Sequence, residues 1–107
     1  MVQLIWTTEA YQDLKEIFSY FDALSHEVAI KYTEELLSVG DRLLLMPEMG
    51  QKEPMLAKLN RNYRYVLVQR RYKVIYLYED EVCSILMIWD CNRNPIEMIN
   101  SDRFTSE

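Results

Sequence analysis

Apolar residues recur along this chain in two rhythms. Ala10, Leu14, Ile17, Phe18, Phe21 and Leu24 follow one another at steps of three and four, which sets them on one stripe of an amphipathic helix. Thr7 and Thr8 are placed to cap its start, with Glu9 near the positive end of the helix dipole. A second stripe runs through Val28, Ala29, Tyr32, Leu36, Val39 and Leu43, broadened by Leu37 and Leu44, and Ser25 precedes it as a cap. Gly40 inside it costs about 1 kcal/mol relative to Ala, so packing has to hold that turn. Pro47 and Gly50 end the helix. The short link over residues 23–26 predicts an antiparallel helical hairpin.

After Gly50 the rhythm changes. Residues 63–69, 72–78 and 82–90 are rich in aromatic and β-branched side chains, and Arg70-Arg71 and Glu79-Asp80-Glu81 separate them. Three strands joined by short turns predict an antiparallel meander. Both faces of these strands carry apolar residues, so alternation alone does not say which face the helices cover. Residues 2–6 read as a short strand that joins the same sheet. Asn92-Arg93-Asn94-Pro95 breaks the last strand, and residues 96–100 read as one helical turn. The predicted architecture is α+β: an N-terminal strand, then a two-helix hairpin packed on one face of a small, mostly antiparallel sheet.

Length and composition narrow the class. The 107 residues suit one domain, residues 1–107, and half of them are apolar, enough for a core. No repeat, linker or low-complexity tract interrupts the chain. The longest apolar runs, Val74 to Tyr78 and Ile85 to Trp89, fall far short of the roughly 20 residues that cross a bilayer. With no signal-peptide pattern at the start, a cytoplasmic protein without a membrane partner is expected. Cys83 and Cys91 fall in the region of one strand, about 27 Å apart at full extension, too far for a disulfide. One His and no Cys-x-x-Cys motif give no basis for a metal site or cofactor.

The formal charge of −5 conceals a division. Residues 1–50 hold three basic side chains against nine acidic ones, whereas residues 52–73 hold seven basic side chains against Glu53 alone. That cationic band either neutralises the acidic helices or receives a polyanion or an acidic partner segment.

The order of elements and several strings resemble the RelE/ParE superfamily of type II toxins. They are Trp6-Thr7 before the first helix, then Ala10, Asp13, Leu14, Ile17 and Tyr20; Pro47 and Gly50; Tyr63-Arg64-Tyr65-Val66-Leu67-Val68; and Tyr72-Lys73-Val74-Ile75-Tyr76. The last string, Ile88-Trp89-Asp90-Cys91-Asn92-Arg93-Asn94-Pro95, is similar to the Asp-Thr-Arg-x-Asn-Pro ending of many ParE-like members. The resemblance implies the toxin half of a two-gene module, held inactive by an antitoxin whose tail wraps around it. RelE-like members cleave mRNA in the ribosomal A site, and ParE-like members poison DNA gyrase.

Metal-free RNA cleavage needs a base, cations near the phosphate and an acid for the leaving oxygen. The resemblance places Glu53 where some nuclease members carry a carboxylate base; otherwise it is a loop glutamate. Arg64 matches a strand arginine of the family. Lys73 stands where nuclease members carry arginine, and an ammonium lacks the planar two-point contact of a guanidinium. No His or Tyr lies between Trp89 and Arg93, and His26, at the start of the second helix, reads as a capping or exposed residue. The expected surface for a target or antitoxin is Arg61, Arg64, Arg70, Arg71, Lys73, Trp89 and Arg93, with Trp89 either stacking on a partner or filling the core. The sequence favours a ParE-like binding protein. Ribosome-dependent cleavage and a degenerate toxin that only captures antitoxin are the alternatives, and association into a homo- or hetero-oligomer is left open.

Overall fold

In the computed structural model, which describes residues 1–104, the elements follow in the order β1 (Gln3–Trp6), α1 (Thr8–Asp22), α2 (His26–Leu45), β2 (Gln51–Lys52), a 3-10 helix (Pro54–Leu59), β3 (Tyr63–Val68), β4 (Tyr72–Glu79), β5 (Val82–Asp90) and α3 (Ile96–Ile99). One sheet runs β1-β5-β4-β3-β2. The meander β3-β4-β5 is antiparallel, as is β2 on β3, and β1 lies parallel to β5 with Leu4 opposite Cys83.

Thr7, not Thr8, caps α1: its Oγ1 accepts the Ala10 N–H at 3.2 Å, while Thr8 is already helical. Ser25 does the same for α2 through the Val28 N–H. The hairpin seats Ala10, Leu14, Phe21, Ala29, Leu36, Val39 and Leu43 against Val66, Val74, Tyr76, Cys83 and Ile85. Gly40 lets α2 approach β1 closely. A Cβ there would lie 2.8 Å from Leu4 Cδ2 and 3.1 Å from Trp6 Nε1.

The expected stripes are too wide. Leu24 follows the end of α1 and is 72% exposed, and Val28, Leu37 and Leu44 are also exposed. Leu37 falls beside the buried row of α2 and lines the outer groove between the helices, and Leu44 stands seven residues further along the same side of α2. The two short elements between Gly50 and Tyr63 carry no hydrophobic period and were not expected.

Both sheet faces are covered. The hairpin covers one, and on the other Leu56 of the 3-10 helix, Met98 of α3 and Phe104 pack on Tyr63, Ile75, Met87 and Trp89. A bulge in β5 explains why alternation could not assign the faces. Ile75 pairs with Met87 but Tyr76 pairs with Ile85, so Leu86 is extra. The extra residue switches the phase: Cys83 and Ile85 face the hairpin, whereas Met87 and Trp89 face away. The two hairpin turns use Gln69-Arg70 and Asp80-Glu81, all four at positive φ, the conformation of a tight two-residue turn but without its usual Asn-Gly. Both cysteines are free thiols, and burial pushes the Cys83 thiol up. No helix among the described residues is long and apolar enough to cross a membrane.

Candidate functional site

Glu53 and Lys73 meet on the sheet face away from the hairpin. Glu53 begins the 3-10 helix, and its Oε2 accepts the Met55 N–H at 2.9 Å. Its Oε1 accepts from Lys73 Nζ at 2.8 Å, and the ammonium also lies 4.2 Å from the centre of the Tyr65 ring. The residue is 2% exposed and its side chain is fully buried, so it is not a solvated loop glutamate.

Arg64 is not part of this pair. Successive side chains of a strand point to opposite faces, so Arg64 leaves β3 on the side of Val66 and Val68, away from Tyr65. There it ties down the loop before β2: Nη1 donates to the Gly50 carbonyl at 2.7 Å and to the Glu48 carbonyl at 3.2 Å, and Nη2 lies 3.3 Å from the Glu48 carboxylate.

The continuous cationic surface expected from residues 52–73 is divided and largely neutralised. Arg61 pairs with Glu79 at the far end of the sheet. The Arg71 guanidinium lies 5.2–5.5 Å from the ring centres of Tyr20, Phe21 and Tyr72 and 3.5 Å from Asp90. Arg70 is exposed at the β3–β4 turn, and Lys52 and Lys58 are exposed without a carboxylate partner among the described residues. Arg93 bonds Glu97 and lies 4.7 Å over Trp89. Trp89 is 3% exposed and belongs to the core, so it offers no free ring for stacking. His26 bonds Asp22 at the hairpin tip and touches Phe18, remote from Glu53.

Hydrogen bonds from Arg61 hold the Glu79 carboxyl below its ordinary range, against a smaller opposing effect of burial. A carboxyl depressed in the folded state stabilises it above the unfolded pKa, and that contribution is lost as pH falls through the folded value. Wild type should therefore exceed Glu79→Gln by about 1 kcal/mol at neutral pH, after allowing for solvent screening of this partly exposed pair. Thermal melts should show the gap closing as pH drops below about 4, and a gap independent of pH would contradict the assignment.

Two features were not singled out from sequence. One is the outer groove of the hairpin, a hollow of about 370 Å3 lined by Tyr11, Leu14, Lys15, Phe18, Thr33 and Leu37. Above it Ile30, Leu37 and Leu44 form a half-exposed row at steps of seven; that step was the available signal. The other is Arg103, which bonds Asp13 across the edge of β5 and carries no local motif.

A strand, a helical hairpin and a sheet closing on an Asn-Arg-Asn-Pro turn make an α+β fold. A family model described as the ParE toxin of the type II toxin-antitoxin system, parDE, matches residues 4–95, and the chain belongs to that family. Among solved structures it is similar to one titled "Chromosomal ParDE TA system from P. aeruginosa". The identity is 21%, the match covers 84% of this chain and 96% of that chain, and the TM-score is 0.67, a likeness of fold. No curated protein matches.

Proposed function

We propose that this ParE-family toxin arrests growth by binding an essential target such as DNA gyrase, without cutting RNA, and that a cognate antitoxin neutralises it. The burial of Glu53 carries the reading. A general base must reach the proton it removes, and both oxygens of this carboxylate are held inside the protein, one by Lys73 and one by the Met55 N–H. The cations that would meet phosphate are turned to other tasks, since Arg64 fastens the Glu48–Gly50 loop and Lys73 neutralises Glu53.

For the antitoxin, the outer groove of the hairpin suits an amphipathic helix: half-exposed Tyr11 on α1 and Leu37 on α2 line it, and Ile30 and Leu44 continue from Leu37 at steps of seven along α2. A helix laid in such a groove gains most of its affinity from buried apolar area.

The test is induction of the chain without antitoxin, together with a supercoiling assay on purified gyrase. Loss of supercoiling and DNA-damage signalling, with transcripts intact, is the expected result. The closeness of Lys73 to Glu53 leaves cleavage on the ribosome as the second reading. Rapid transcript cleavage that stops in a folded Glu53→Gln variant would establish it instead. Harmless expression would mark a degenerate toxin that retains antitoxin capture alone.

A further inference from the structure

Past Ile85 the outer edge of β5 has no strand beside it among the described residues. Pairing with β1 ends at Trp6, opposite Ile85, and the chain then turns into α1. Two groups on this bare edge are nonetheless occupied by side chains. Arg103 Nη1 donates to the Leu86 carbonyl at 3.1 Å, and the Ile88 N–H donates to Asp13 Oδ2 at 3.0 Å. Arg103 and Asp13 are themselves joined by two bonds, Nη1 to Oδ2 at 2.5 Å and Nη2 to Oδ1 at 3.0 Å. A residue of a parallel strand would make the same pair of contacts with its own N–H and C=O. The ion pair thus stands in for one residue of a missing strand.

The surroundings specify what such a strand would carry. Glu9 and Glu16 lie one turn before and one turn after Asp13 on α1, and all three line one hollow of about 470 Å3 together with Arg103 and with Arg93, whose charge is already paired with Glu97. Among the described residues neither Glu9 nor Glu16 has an ion-pair partner. If Arg103 moves away, three carboxylates face the bare edge and call for replacement cations. Further along the edge, a second hollow of about 220 Å3 sets Ile17, Tyr20, Tyr72 and Ile88 among the charged groups of Asp13, Glu16, Asp90, Arg71 and Arg93, a lining that suits a side chain with an apolar stem and a polar head.

We propose that residues 86–90 of β5 form a docking edge for an extended, arginine-bearing segment of a partner protein, which adds alongside the strand and displaces Arg103. The backbone of the incoming segment takes over the Leu86 carbonyl and the Ile88 N–H, and its arginine takes over Asp13. Main-chain bonds supply affinity in strand addition and alternate side chains supply specificity. Here the three carboxylates select cationic segments and repel acidic ones. This surface is separate from the hairpin groove and does not depend on the cellular target.

The experiment uses the full chain and its Arg103→Ala variant, titrated with a labelled six-residue peptide of alternating Val and Arg, and with its Val and Glu counterpart. Removing the occupant should tighten binding of the Arg peptide about tenfold, and the Glu peptide should bind neither protein. Glu16→Gln in the Arg103→Ala background should weaken the Arg peptide about threefold at low salt. Hydrogen exchange at the Ile88 amide should speed up in Arg103→Ala and slow again with the Arg peptide. Equal affinity for both proteins, equal affinity for both peptides, or an Ile88 amide indifferent to the peptide would each overturn the proposal. Should Arg103→Ala fail to fold, Arg103→Lys keeps the charge but loses the two-point contact. It should then bind the Arg peptide more tightly than wild type, and unchanged affinity would again overturn the proposal.

Discussion

Lys73→Met should destabilise the protein by about 3–5 kcal/mol, the cost of leaving a buried charge without its partner. The Glu53 side chain is fully buried and that of Lys73 is 21% exposed, so water cannot take the ammonium's place. The double variant Glu53→Gln with Lys73→Met should recover most of the loss, because a glutamine can still accept the Met55 N–H while the methionine packs over Tyr65. Denaturant unfolding of the four-member cycle measures the coupling. The same cycle bears on function. If Glu53 and Lys73 serve the fold, the double variant still arrests growth; a folded but harmless double variant would mean that the pair acts chemically.

Gly50→Ala should cost about 3 kcal/mol and lower the melting temperature by more than about 10 °C. An added Cβ would lie 2.7 Å from the Tyr65 carbonyl oxygen and 2.7 Å from the Tyr76 hydroxyl. The carbonyl belongs to β3, where β2 pairs with it, and cannot retreat. Tyr76 is fully buried, and its hydroxyl donates to the Pro47 carbonyl at 2.8 Å and accepts the Gly50 N–H at 3.0 Å. Displacing it strands a buried hydroxyl. Gly40→Ala should cost less, because its nearest neighbours are the ends of the Leu4 and Trp6 side chains, which can rotate away. A Gly50→Ala variant that melts with wild type would contradict this account.

These two sites show where sequence was sufficient and where it was not. The hairpin was legible because its apolar period near 3.6 repeats along both helices, and the meander because runs rich in aromatic and β-branched residues are separated by short turns. Gly50 was legible only as the end of a helix; its tight contact depends on Tyr76, a residue 26 positions away. Glu53 was legible as a candidate base, but its role follows from the fold placing Lys73 across the sheet from it. The charge count over residues 52–73 suggested one surface, yet it could not register that the strand pleat sends Arg64 and Lys73 to opposite faces. Nor could it register that Glu48, Glu79 and Asp90 come from elsewhere to meet the cations. The phase switch at Leu86 has no signature in composition at all.

The parallel seat of β1 against β5 has a consequence for synthesis. Gln3 must wait for Val82, and Trp6 for Ile85, so the first strand made is the last that can be placed. Contacts this distant in sequence form late because the intervening loop must close first. A nascent chain emerging from its ribosome can form the hairpin early, yet its sheet stays unfinished until residues 82–85 have been translated. A product that stops before Val82 therefore leaves its first strand with no partner to lie beside.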